Sequence, residues 1–217
     1  MSSPVYVKPH SVHDHAPDFT GGKIGMWMFL FTEILLFGGL FIVYAVYRSQ
    51  YPDDFHLAAS QLDTMLGAVN TLVLLTSSLT VALSIEALQR RSRKLSLALL
   101  FITIACAFTF MVNKYFEWGH KFEIGIYPGS ETLLSASNGE ILFFSLYYAM
   151  TGLHGIHVLV GLAVLGGMFY FISKTPRDHE KKYYEQRQII KLENSGLYWH
   201  VVDVIWIFLF PLFYLIG

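Results

Sequence analysis

The sequence predicts an all-α fold, a polytopic transmembrane helical bundle with five membrane-spanning helices and the N-terminus in the cytoplasm. Three observations carry this. Hydrophobic residues make up 54% of the 217-residue chain and charged residues only 14%, whereas roughly 25% of an average soluble domain is charged. Five stretches stay apolar over the about 20 residues that a helix needs to cross a bilayer core. Lysine and arginine gather in the segments that a five-span topology places on one side of the membrane, the side that the positive-inside rule assigns to the cytoplasm. The net charge of −1 offers no basic face for nucleic acid, so no such partner is expected. The single cysteine, Cys106, lies in an apolar run, which leaves no disulfide framework and no cysteine-rich metal site. A small core residue is expected there.

Residues 1–22 read as a flexible cytoplasmic tail carrying His10, His13, Asp14 and His15. A stray divalent ion could bind these histidines, but a flexible tail is the simpler expectation. The tail lacks the apolar core and small-residue cleavage site of a signal peptide, so the first span is expected to be retained. Residues 23–217 form the membrane domain. Its first span runs from Ile24 to Tyr47 and is interrupted only by Glu33; the second runs from Thr64 to Leu88, with Glu86 near its end; the third from Leu95 to Phe116; the fourth from Gly139 to Ser173; the fifth from Leu197 to Ile216. Between Ile141 and Ser173 the fourth has no Asp, Glu, Lys or Arg. As one helix it would measure about 50 Å, so it must tilt, kink or protrude. No repeat or long linker divides the chain.

The basic residues set the orientation. Lys8 and Lys23 precede the first span, Arg90, Arg91, Arg93 and Lys94 fill the second connection, and Lys174, Arg177, Lys181, Lys182, Arg187 and Lys191 fill the fourth. The opposite side has Arg48 and Lys121, with Lys114 near a span end. The N-terminus then faces the cytoplasm and the C-terminus the outside. Arg90, Arg91, Arg93, Lys94, Lys181 and Lys182 also sit at the level of anionic lipid head groups, where each charge contributes about 1 kcal/mol of attraction.

Polar residues recur at helical spacing within the spans. Gly67, Asn70, Ser77 and Ser84 share a face of the second, and Thr103, Cys106, Asn113 and Glu117 a face of the third. Small and hydroxyl residues let membrane helices approach closely and hydrogen-bond, so bundle packing accounts for both stripes. Glu33, His154, His157, His200 and Asp203 demand more, because ionisable groups at membrane depth are costly and face a bundle interior or a polar partner. Glu33 lies about 14 Å from the cytoplasmic end of its span and Asp203 about 9 Å. His154 and His157, one turn apart, reach comparable depth from the other side. A carboxylate and an imidazole at one depth can neutralise each other or share a proton, so Glu33 is expected to pair with one of these two histidines.

Cofactor chemistry finds little footing in these residues. Bis-histidine haems need imidazoles from facing helices, whereas His154 and His157 lie within about 5 Å of each other along one helix. Glu117 and His120 make one Glu-x-x-His string, where a carboxylate di-iron site needs two plus further carboxylates. A proton-coupled transporter would show inverted repeats and broken helices, and neither is visible.

Four strings resemble subunit III of the haem-copper respiratory oxidases. They are Gly22 to Glu33 (GKIGMWMFLFTE), Lys114 to Trp118 (KYFEW), Thr151 to His157 (TGLHGIH) and Tyr198 to Trp206 (YWHVVDVIW). Their order covers nearly the whole chain after the tail. The resemblance implies a non-catalytic subunit of a cytochrome c oxidase in a bacterial inner membrane, with no cofactor or chemistry of its own and with haem and copper held by partner subunits. It further implies packing beside the catalytic subunit I in a complex with subunit II, phospholipid bound in a cleft between helix groups, and support of proton uptake in a complex that reduces dioxygen and pumps protons. Glu33 matches the family's carbodiimide-reactive glutamate. The chain resembles the five-helix bacterial form, without the two N-terminal helices of the mitochondrial one. The equivalent subunit of a quinol oxidase or of a nitric oxide reductase is the alternative, since no residue here reads the electron donor.

Overall fold

A computed structural model describes residues 19–174 and 182–216, with the side chains of residues 19, 20 and 182–186 outside the description. The described residues form seven helices. Five are long: α1 (Phe19–Gln50), α3 (Thr64–Gln89), α4 (Arg93–Glu123), α6 (Asn138–Lys174) and α7 (Lys182–Tyr214). Two are short: α2 (Pro52–Ser60) and α5 (Glu131–Leu134). The five long helices coincide with the five expected spans, each apolar and long enough to cross a membrane. Residues 19–22, expected in the tail, continue the first helix, while the tail histidines and Lys181 lie outside the described residues.

Local chemistry explains where helices begin and end. Asp63 caps α3 by accepting from the Leu66 amide at 3.0 Å, which satisfies one of the donors a helix start leaves free. α3 ends in paired back-bonds, Arg91 N–H to Leu88 O at 3.0 Å and Ser92 N–H to Ala87 O at 2.8 Å, with Arg91 left-handed at φ 60°. This Schellman turn reverses the chain within three residues and makes α4 the antiparallel neighbour of α3. α4 ends the same way, with Ile126 N–H to Lys121 O at 2.9 Å and Gly125 at φ 76°. Here glycine is required, because an added Cβ would also stand 2.9 Å from Thr132 Oγ1.

α3, α4, α6 and α7 close around one core. Trp199, Trp206, Leu209 and Phe213 of α7 are fully buried in it, with Phe110 of α4 and Phe143, Phe144 and Tyr147 of α6. α3 and α4 are joined by polar rungs: Thr80 to Thr103 at 2.8 Å, Ser84 Oγ to Ser96 O at 2.9 Å and Asn113 Nδ2 to Asn70 Oδ1 at 2.8 Å. The two expected stripes therefore face one another. Glycines admit the aromatic rings of α7. A Cβ on Gly161 would lie 2.6 Å from Trp199, and one on Gly67 2.8 Å from Tyr214. Gly155, Gly166 and Gly167 meet nothing within 4 Å, so the close contacts of α6 fall on Gly139 against Asp54 and Tyr51, Gly152 against Trp118, and Gly161 against Trp199.

α6 is the longest of the helices. Its 37 residues span about 55 Å at 1.5 Å per residue, and α2 packs on its N-terminal end. There Phe55 meets Phe143 edge-on at 5.4 Å, and Asp54 Oδ2 accepts from the Gly139 amide at 3.2 Å. α1 is peripheral: Leu30, Phe37 and Tyr44, seven residues apart, are its buried hydrophobic residues, and most of its apolar surface faces outward. The first turns of α1, the α3–α4 turn and the α6 and α7 ends share one end of the bundle. Lys23 Nζ lies 3.3 Å from Glu193 Oε2, Gln89 donates to Glu193 at 3.0 Å, and the Arg93 guanidinium reaches the Ile172 carbonyl.

Candidate functional site

The structure brings Glu33 to His157, with Glu33 Oε2 at 2.8 Å from His157 Nε2. Both side chains are 13% exposed at the α1–α6 seam, and Phe37 covers the imidazole edge-on at 5.4 Å. The other ring nitrogen, Nδ1, lies 2.7 Å from the Leu153 carbonyl, an acceptor only, so Nδ1 carries a hydrogen. Nε2 then accepts from a protonated Glu33, or donates to a carboxylate when the ring is cationic. In both arrangements one proton is shared across the contact, and removing it would set a carboxylate against a lone pair. The expected pairing is thus present, and the carbonyl one helical turn back fixes the tautomer.

His154, one turn away, goes elsewhere. It is fully buried, with its ring 5.6 Å from Phe110 and 5.2 Å from Trp206. His200 is half-buried and its Nδ1 meets Ser78 Oγ at 2.6 Å. Asp203 is 2% exposed and contacts neither histidine through a hydrogen bond. The expected intramembrane set is therefore several separate sites at similar depth.

Glu117 belongs to a second constellation, most of which sequence reading missed. Lys114 Nζ donates to Glu117 Oε2 at 3.0 Å, to Tyr147 Oη at 3.1 Å and to Tyr214 Oη at 2.8 Å. Both phenols donate to Glu117 Oε1, Tyr147 at 2.6 Å and Tyr214 at 2.5 Å. All three ammonium hydrogens and both carboxylate oxygens are engaged, the condition under which a buried ion pair is tolerated. One readable signal existed: Lys114 and Glu117 stand at i and i+3, neighbours on a helix surface. His120, the other member of the Glu-x-x-His string, is exposed, and among the described residues no group of three or more His, Cys, Asp or Glu lies close enough to hold a metal.

The basic residues of the α3–α4 turn stand at the shared end. Arg90, Arg91 and Lys94 are exposed and Arg93 is half-buried, and Arg90 Nε pairs with Glu86 at 2.7 Å. The side chain of Lys182 lies outside the description.

Comparison with known proteins gives a consistent answer. The family model for cytochrome c oxidase subunit III matches residues 9–217. The chain is 31% identical over 207 residues to cytochrome c oxidase subunit 3 of a Synechocystis species, covering 95% of this chain and 79% of that one. It is 30% identical over 197 residues to subunit 3 of the cytochrome bo(3) ubiquinol oxidase of Pseudomonas putida, covering 89% and 85%. It is also 27% identical over 210 residues to the heme-copper oxidase subunit I+III of Aeropyrum pernix, covering 94% of this chain and 24% of that protein.

Proposed function

Since the chain belongs to the cytochrome c oxidase subunit III family, we propose that it serves as the non-catalytic subunit III of a bacterial haem-copper terminal oxidase, steadying the catalytic subunit, retaining phospholipid and supporting proton uptake. The observation that carries this reading is the Glu33–His157 contact. A single proton held between carboxyl and imidazole at a lightly covered helix seam suits a group that buffers or passes protons beside a pump. No metal, substrate or nucleophile is needed there. Subunit I, with subunit II, is the partner that would hold the haem and copper. The Aeropyrum relative, whose name joins subunits I and III in one chain, supports subunit I as the neighbour. The N-terminus faces the cytoplasm in this reading, which sets the basic end of the bundle against anionic lipid head groups. Glu117, His154, His200 and Asp203 maintain the bundle interior in support of that role.

Glu33→Gln in the assembled complex tests the proposal. The amide retains the contact to Nε2 by donating a hydrogen, but cannot release it. Initial oxygen reduction should stay near the parent rate while activity decays faster during turnover, with the haem spectrum intact. Loss of most initial turnover would make Glu33 a participant in the reaction and overturn the supporting role. The Pseudomonas relative of a ubiquinol oxidase favours a second reading, quinol as electron donor. Mass spectrometry of the copurifying chains decides it, since a copper-binding subunit II selects cytochrome c.

A further inference from the structure

We infer that Tyr198 of α7 is a positioning residue for the proton-sharing pair, holding His157 within reach of Glu33 across the α1–α6 seam; the inference rests on the reading of that pair as a group that buffers or passes protons. Glu33 stands on a lightly held helix. Leu30 and Phe37, about one turn to either side of it, are the nearest buried hydrophobic residues of α1. A side-chain contact of 2.8 Å persists at such a seam when the distance between α1 and α6 is fixed, because a site keeps its geometry when neighbouring packing and hydrogen bonds lock its residues. Tyr198 touches both sides. Its hydroxyl donates to the main-chain carbonyl of His157 at 3.1 Å, and its ring lies 5.9 Å from that of Phe29, one turn before Glu33 on α1.

The path from Tyr198 back into the core is short and stiff. Trp199, next in sequence, is fully buried, and its ring stands 2.6 Å from where a Cβ on Gly161 would lie. Its indole hydrogen goes to Ser77 Oγ of α3 at 2.9 Å. The Tyr198 ring passes the same glycine, 3.5 Å from that Cβ position. α7 is thereby set hard against α6 at residue 161, and the phenol reaches one turn back, to the carbonyl that the residue 161 amide bonds in the α-helical ladder. A buried tyrosine normally finds a partner for its hydroxyl, and Tyr198 is 6% exposed. The partner it finds is the carbonyl of the residue whose side chain meets Glu33. His157 is therefore held at three points: Nδ1 by the Leu153 carbonyl at 2.7 Å, the imidazole edge by Phe37 at 5.4 Å, and the main chain by Tyr198. Only the last of these comes from α7.

The rate at which dicyclohexylcarbodiimide labels Glu33 in the purified oxidase complex containing this chain tests the inference, read by mass spectrometry of the peptide that holds Glu33. A protonated carboxyl adds across a C=N bond of this apolar reagent, its oxygen to carbon and its proton to nitrogen, so a proton engaged between Glu33 and His157 slows the reaction. Tyr198→Phe keeps the ring and removes only the hydroxyl. Labelling should rise several-fold as the pair parts and Glu33 keeps the proton alone. Gly125→Ala, strained at the end of α4, is the control for general loosening and should label at the parent rate. An unchanged rate in Tyr198→Phe, or an equal rise in Gly125→Ala, would overturn the inference. His157→Leu should label at least as fast as Tyr198→Phe, and adding Tyr198→Phe to it should change nothing further, because the carbonyl partner of the hydroxyl is still present but the pair is not. A further rise there would make Tyr198 a shield of Glu33 and would equally count against positioning through His157. If that background does not assemble, the comparison of Tyr198→Phe with Gly125→Ala decides. The assay involves no turnover, so a failure of the supporting role of Glu33 in oxygen reduction is read separately from a failure of the positioning role.

Discussion

Replacing Lys114 with methionine removes the three hydrogen bonds that its ammonium makes at 2.8–3.1 Å, and leaves Glu117, 7% exposed, as a buried carboxylate with two phenol donors and no counter-charge. Breaking a buried ion pair from one side costs about 3–5 kcal/mol, because the remaining charge is uncompensated. Replacing both members with apolar residues of similar volume is often nearly neutral. In Lys114→Met with Glu117→Leu, the two phenols can retain each other, since their oxygens already lie 3.3 Å apart. The double variant should therefore sit within about 1–2 kcal/mol of the parent, and the coupling between the sites should exceed about 1 kcal/mol. For a chain of this size each kcal/mol moves the melting midpoint by about 2–4 °C. The single variant should fall by at least about 6 °C and the double by markedly less. Tryptophan fluorescence during thermal unfolding of the purified complex reads this directly, since Trp206 lies 5.3 Å from the Lys114 ammonium. A single variant that melts with the parent, or a double variant that costs the sum of the singles, would refute the account of the cluster as one neutralised unit.

Three further outcomes follow from packing and charge. Gly161→Ala sets a methyl 2.6 Å from the Trp199 ring and should destabilise the α6–α7 contact by about 1–3 kcal/mol, whereas Gly166→Ala, with nothing within 4 Å, should leave the melting midpoint unchanged or slightly raised; equal effects would contradict the assignment of faces. Gly125→Ala forces a left-handed backbone at φ 76° onto a residue with a Cβ, for a loss of about 1–2 kcal/mol measurable by denaturant unfolding. Neutralising Arg90, Arg91, Arg93 and Lys94 together should lower the phospholipid retained per purified complex, each charge contributing about 1 kcal/mol of attraction. Unchanged lipid content would confine these residues to orienting the chain.

The five spans and the presence of charge at membrane depth were legible in the residues alone, because hydropathy over about 20 positions is a local property. So was the depth match that set Glu33 against His154 and His157. Periodicity places a side chain on a face and at a height of its own helix, but leaves open which way that face turns once helices pack. Tertiary structure chose His157 over His154 because α1 lies outside the four-helix core, against the face of α6 that carries His157, while His154 turns inward to Trp206. It also brought Tyr147 and Tyr214, 33 and 100 residues from Lys114, onto one ion pair. It sorted the α6 glycines into those beneath aromatic rings and those facing outward. In each case the deciding contact joins helices distant in sequence, and its energy comes from burial and from satisfying polar groups that no single helix can satisfy by itself.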